Sequence, residues 1–111
     1  MLLRKKENKS PAFQFYARDF LADINVQLMN MEQRGMYITL LSYAWLEKGI
    51  PNNMRKLNLL CNNPDNFDEL IVDVLACFEE SDGRLYNKRM ESVRAEQMER
   101  KEKASEAGKI G

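Results

Sequence analysis

The chain has no histidine among its 111 residues. The usual general base near neutral pH and the commonest metal ligand are therefore both missing. Its two cysteines, Cys61 and Cys77, are too far apart for a Cys-x-x-Cys site, and each sits among apolar neighbours. They read as buried free thiols rather than as a disulfide or a ligand pair, which suits a reducing cytosol. There is no glycine-rich phosphate loop, and no Ser–His or Cys–His set can be assembled. No run approaches the roughly 20 apolar residues of a membrane span. The opening MLLRKKENKS lacks the apolar core of a signal peptide. These absences point to a cytoplasmic domain that is not an enzyme and needs no cofactor or metal.

A hydrophobic share of 44% supports one modest core, and the length supports one domain. The formal net charge is zero, but it is unevenly placed. Residues 1–18 carry five Lys/Arg (Arg4, Lys5, Lys6, Lys9, Arg18) against Glu7. Residues 62–82 carry seven acids (Asp65, Asp68, Glu69, Asp73, Glu79, Glu80, Asp82) and no base. Residues 83–111 carry eight bases against five acids. Basic ends around an acidic centre predict a two-sided surface.

Residues 1–10 read as a mobile basic arm. Phe13 and Phe15 alternate with Gln14 and Tyr16, as in a short half-buried strand. Arg18–Asp23 has the length of a single helical turn, and the aromatic density predicts that this stretch packs onto the domain. Asn30 and Gln33 form a capping box for a helix over about Met31 to Lys48. Tyr37, Leu40, Leu41, Ala44 and Trp45 share one face of it. Gly35 lies inside this helix at a cost of about 1 kcal/mol relative to alanine. Two readings stay open for it: close approach of another segment, or simple tolerance.

Gly49-Ile50-Pro51 ends the helix and leaves Ile50 as a one-residue strand. Asn52 or Asn53 then caps a second helix, Met54–Cys61, with Met54, Leu57, Leu60 and Cys61 inward. Asn62-Asn63-Pro64-Asp65 is a turn cluster. Asn66, with Glu69 as its box partner, starts a third helix carrying Phe67, Leu70, Ile71, Val74, Leu75 and Phe78 inward. Cys77–Glu80 and Arg84–Asn87 flank Ser81-Asp82-Gly83, a hairpin signal because Gly83 can take positive φ. From about Lys88 the chain is helical again, with Met90, Val93 and Gln97/Met98 as a weak stripe. Glu99–Lys103 must be solvated, and Ala104–Gly111 reads as a fraying, linker-like tail. The expected fold is mainly α with a small β-hairpin: a winged helix-turn-helix with an N-terminal aromatic extension and a long C-terminal helix. Its domain spans 11–98, and 99–111 is an exposed helix end and tail.

Several runs carry a family resemblance. They are Pro11–Tyr16, Asp19–Asp23, Met31–Tyr37, Leu40–Trp45, Gly49–Asn52, Phe78-Glu79, Asp82–Leu85 and Asn87–Met90, with the tail Lys103–Gly108. Together they resemble a phage and prophage family known as domain of unknown function 1376. The resemblance runs from Pro11 to Gly108 and is looser over residues 53–76. It implies a winged-helix module at the front of longer phage proteins, with a role in replication initiation or replisome organisation.

Two functional classes remain. The first is a replication-associated DNA-binding domain. In a helix-turn-helix the second helix of the pair enters the major groove. Here that helix exposes Asp68, Glu69 and Asp73 and no base, whereas Lys and Arg supply most phosphate affinity. DNA contact would therefore fall to Arg84, Lys88, Arg89, Arg55 and Lys56, with help from Arg4, Lys5 and Lys6. The second is a protein-interaction module whose acidic 62–82 face, with Asp68, Glu69 and Asp73, recruits a host or phage replication protein. Homodimer formation through the projecting C-terminal helix is a variant, although its apolar stripe is too short for a coiled coil.

Overall fold

The computed structural model describes residues 12–110, with side chains as far as Lys103. The basic arm, including Arg4, Lys5 and Lys6, lies outside the described residues. In chain order the elements are α1 (Ala17–Ala22), α2 (Ile24–Gln27), α3 (Met31–Glu47), β1 (Ile50–Pro51), α4 (Met54–Leu60), α5 (Phe67–Leu75), β2 (Glu79–Ser81), β3 (Arg84–Tyr86) and α6 (Lys88–Ile110). The architecture is mainly helical with one three-stranded antiparallel sheet in the order β1-β3-β2. Among the described residues no helix is long and apolar enough to cross a membrane.

Asn30 starts the helix on which the rest packs. Its Oδ1 accepts from the Gln33 N–H at 2.8 Å, and Gln33 Oε1 accepts from the Asn30 N–H at 2.9 Å. Both halves of the capping box are formed, which satisfies N–H groups that α3 would otherwise leave open. Tyr37, Leu40, Leu41, Ala44 and Trp45 are all buried, as their spacing requires. They join Leu57 of α4, Ile71 and Val74 of α5, Leu85 of β3, and Met90 and Val93 of α6 in one core.

The aromatic extension is not a strand. Residues 12–16 have no regular structure, and two rings of the extension, Phe13 and Phe20, pack on α3. Phe13 lies 5.3 Å from Trp45, and Phe20 stacks on Tyr37 at 5.9 Å. Phe15 packs on Phe20 at 5.2 Å. The alternation of aromatic and polar residues is real, but Phe13 is only half-buried, against α3, and Phe15 is 49% exposed, so no sheet face is formed. None of this reaches Gly35: a Cβ there would have nothing within 4 Å. The close-approach reading fails, and the glycine is an exposed, tolerated cost.

The exit from α3 is tight. Lys48 (φ 56°) and Gly49 (φ 96°) are both left-handed, and a Cβ on Gly49 would stand 2.7 Å from Tyr86 Cε1. The strand expected at Ile50 includes Pro51 and pairs with β3, Ile50 opposite Leu85. Asn53 caps α4 by accepting from the Lys56 N–H at 3.0 Å. Met54 does not point inward; it is 51% exposed at the first helical position, and Leu57 anchors α4. The Asn66–Glu69 box is absent as well. Asn66 has φ 60°, and its side chain makes no capping bond. A cap needs extended backbone at that position, whereas Asn62, Asn63 and Asn66 all fold the loop through left-handed conformations.

The hairpin turn is tighter than expected. Ser81 pairs with Arg84, leaving only Asp82 (φ 53°) and Gly83 (φ 77°) in the turn. Positive φ at both positions defines a type I′ turn, whose twist matches the strands. After β3 the chain enters α6 through Asn87, which is 6% exposed. Asn87 Oδ1 accepts from the Met90 N–H at 2.9 Å, and its backbone carbonyl accepts from the Glu91 N–H at 3.0 Å. Its Nδ2 donates to the Cys77 carbonyl at 2.9 Å and to Tyr37 Oη at 3.1 Å. α6 then continues to Ile110, beyond Ala104 where fraying was expected.

Two substitutions test this account. Asn87→Ala removes a helix cap and leaves buried polar atoms unpartnered. Equilibrium urea unfolding is expected to give a loss of about 2–4 kcal/mol. Gly35→Ala fills open space on an exposed helix face. A thermal melt at low micromolar concentration is expected to show a gain of about 1 kcal/mol.

Candidate interaction surface

The basic residues proposed for DNA contact have very different surroundings. Arg84 in β3 turns toward the end of α3, where Nη2 donates to the Gly49 carbonyl at 2.6 Å and to the Glu47 carbonyl at 3.4 Å. Arg89 forms an exposed ion pair with Asp19 of α1, and its guanidinium lies 5.8 Å from the centre of the Tyr16 ring. Both side chains tie elements together. Lys88, Arg55 and Lys56 are exposed, the first at the start of α6 and the others in the first turn of α4. Lys88 and Arg89 also line a shallow open groove of about 420 Å³ beside α6, together with Ser92, Val93 and Glu96.

Arg94 was not foreseen as a structural residue. Its Nη1 and Nη2 donate to the carbonyls of Trp45 and Ala44 at 3.1 and 3.0 Å, and the guanidinium sits 4.5 Å over the Trp45 ring. Its Nε also contacts Glu91 at 3.3 Å. The last turn of α3 contains no basic residue of its own. Two distant arginines therefore hydrogen-bond the carbonyls at this end and complement its negative pole.

The acidic candidates face outward. Asp68, Glu69, Val72 and Asp73 occupy one side of α5 and are all exposed. Their spacing of i, i+1, i+4 and i+5 makes them neighbours on the helix surface. Val72, 63% exposed, is an apolar spot among the carboxylates. Asp73 is anchored: its Oδ2 accepts from Gln33 Nε2 at 2.9 Å, and the same nitrogen donates to the Leu70 carbonyl at 3.1 Å. Gln33 thus both caps α3 and docks α5, a double role its place in the capping box did not reveal. In the hairpin, Glu79, Glu80 and Asp82 are exposed too. Glu80 Oε2 accepts from the Gly83 N–H at 2.8 Å and so steadies the turn.

A small cavity of about 70 Å³ lies between the aromatic extension, α3 and α6, lined in part by Asp23, Tyr37, Asn87 and Arg89. It falls well short of the roughly 300–1,000 Å³ of an ordinary small-molecule site. Among the described residues, no three or more Cys, Asp or Glu side chains are grouped so as to hold a metal ion.

The chain matches the family model described as "Protein of unknown function (DUF1376)" over residues 11–94. The chain belongs to this family. Comparison with curated proteins and with solved structures found no match. The DUF1376 match begins at the aromatic extension and ends at Arg94, the residue that clasps the end of α3. Every intramolecular contact described above for Arg84, Arg89 and Asn87 therefore lies inside the DUF1376 region.

The thiols in this DUF1376 domain are quiet. Cys77 is half-buried, and burial first, then the Asp23 carboxylate, pushes its thiol up to about 11, partly offset by a hydrogen bond with Tyr37. Burial also raises Cys61. The Tyr37 phenol lies well above its ordinary value, chiefly through burial and then the neighbouring Cys77. An acid whose folded pKa is raised stays protonated while its unfolded counterpart ionises. Stability is therefore unaffected by these groups below about pH 8.5 and falls as pH rises toward 11. Melting temperatures measured from pH 7 to 11 are expected to drop above pH 9, and less so in Cys77→Ala. Alkylation of the folded chain at pH 8 is expected to be at least tenfold slower than in urea.

Proposed function

We propose that this DUF1376 chain is a winged-helix-type interaction module that docks a basic protein partner through the acidic outer side of α5. The scaffold reading rests on the order α3-β1-α4-α5-β2-β3 and on β1 pairing with the second hairpin strand. In that scaffold α5 stands where a groove-reading helix would be. The observation that carries the proposal is the exposed set Asp68, Glu69 and Asp73 on that helix, with no Lys or Arg anywhere in residues 62–82. Carboxylates aimed at a phosphate-lined groove oppose binding. Against a basic protein surface the same charges speed encounter and select the partner. The phage setting implied by the family resemblance suggests a replication protein, such as a helicase or its loader. A cytoplasmic location fits the two free thiols.

A second reading is replication-associated DNA binding. It is favoured by the exposure of Lys88, Arg55 and Lys56. On this reading the cations flank a helix that does not itself enter the groove.

One paired experiment separates the two. The chain and its Asp68→Lys/Glu69→Lys variant are titrated by fluorescence anisotropy with labelled duplex and single-stranded DNA at 50 mM salt. Both are also used to capture proteins from a host lysate. The interaction reading expects no DNA binding by the wild-type chain at tens of micromolar. It also expects capture of a basic protein that the double reversal abolishes. Steeply salt-dependent DNA binding, lost in Lys88→Ala/Arg55→Ala and accompanied by no reversal-sensitive capture, would sink it in favour of the second reading.

A further inference from the structure

Residues 12–23 lie across α3 and α6 as a strap. α1, within it, buries none of its residues. Phe13 and Phe20 are half-buried, and Phe15 is 49% exposed. Beneath the strap is the cavity of about 70 Å³, bordered on the body side by Tyr37, Leu41, Met90 and Val93. These four side chains are buried, as is Trp45 under Phe13. An apolar cleft between α3 and α6 is thus covered by a segment that fills it incompletely.

Polar ties run from the strap to α6. Asp19 pairs with Arg89, whose guanidinium also lies against the Tyr16 ring. Gln14 Oε1 accepts from Arg100 Nη2 at 3.3 Å. All of these residues are exposed. Arg89 stands in the first turn of α6, beside Lys88, where the positive end of the helix opposes a cation. The charge of Arg89 is therefore unfavourable for α6 itself and favourable for the strap.

We propose that residues 12–23 open as a unit about Asp23 while the rest of the domain stays folded, with Arg89 as the latch that sets how often they do so. Asp23 suits a hinge. Its backbone is extended between α1 and α2, and its side chain caps α2 by accepting from the Asn25 N–H at 2.8 Å. Beyond it, Val26 is 1% exposed and anchors α2 in the core. A six-residue helix is unstable alone in water, so α1 melts when the strap lifts. Closed, the strap withholds the cleft; open, it uncovers Tyr37, Leu41, Trp45, Met90 and Val93. The device uses none of the residues on the acidic side of α5 and goes beyond the docking proposed there.

Amide hydrogen exchange of the full chain, followed by NMR at pH 7, tests the idea. The Phe20 amide donates to the Tyr16 carbonyl at 3.0 Å and reports the strap. The amides of Leu40 and Ala44 in α3 report the body. Phe20 is expected to exchange at least tenfold faster than Leu40 and Ala44, yet slower than an unprotected amide. Arg89→Ala is expected to speed Phe20 about two- to fivefold and to leave the α3 amides at their wild-type rates. Asp19→Asn is expected to match it, and the double variant to add nothing further. A single rate for strap and α3 overturns the proposal, as does exchange of Phe20 at the unprotected rate. Arg89→Ala leaving Phe20 unchanged, or speeding α3 equally, overturns the latch. None of these outcomes bears on Asp68 or Glu69, whose test reads a protein partner.

Discussion

One buried amide holds this domain in register. Asn87 sits at the joint between the hairpin and α6 and has little access to water. Its oxygen caps α6, and its nitrogen reaches the Cys77 carbonyl just before β2 and the Tyr37 hydroxyl on α3. A buried amide left without partners costs about 1–3 kcal/mol. The lowest-energy arrangement is thus one in which α3, the end of α5, the hairpin and α6 meet at this point. Nonpolar packing alone would tolerate small slips of α6 along the core. The directional bonds of Asn87 do not.

The C-terminus of α3 imposes the second constraint. A helix end leaves carbonyls without intrahelical partners, and this one lies where β3 and α6 both cross it. Arg84 and Arg94 deliver guanidinium groups to four of its carbonyls, counting Gly49 just beyond the end. Arg89 plays a related part at the other side of the domain by holding α1 through Asp19. At Arg84 and Arg94, positive charge that a linear reading counts as available surface is thereby turned inward, whereas Arg89 stays exposed within its ion pair. Acids from Asp68 to Asp82 have no such assignment, apart from Asp73 and Glu80. The outer surface of α5 and the hairpin is consequently more acidic than the zero net charge suggests. That redistribution turns the functional reading from DNA toward a basic protein.

Short-range features were legible because their causes are local. The Asn30–Gln33 box, the inward face of α3, the break at Gly49, the Asn53 cap and the Asp82-Gly83 turn each depend on residues only a few positions apart. Where local readings failed, another demand was stronger. Asn66 was read as a cap, but closing the loop from α4 required left-handed backbone there. Phe13 to Tyr16 alternates like a strand, but Phe13 packs on Trp45 and Phe15 on Phe20 instead of a sheet edge. Met54 was read as core, but it stands at the exposed start of α4.

The sequence by itself determined the number and order of the main helices, the hairpin, the absence of histidine chemistry and the acidic run from 62 to 82. These follow from composition, from periodicity and from turn residues that restrict backbone angles nearby. Tertiary structure alone decided which charges remain on the surface. Arg84, Arg94 and Arg89 find their partners 35, 49 and 70 residues away. Hydrogen bonds and ion pairs act over a few ångströms of space, and the chain brings those partners together only once its core has formed.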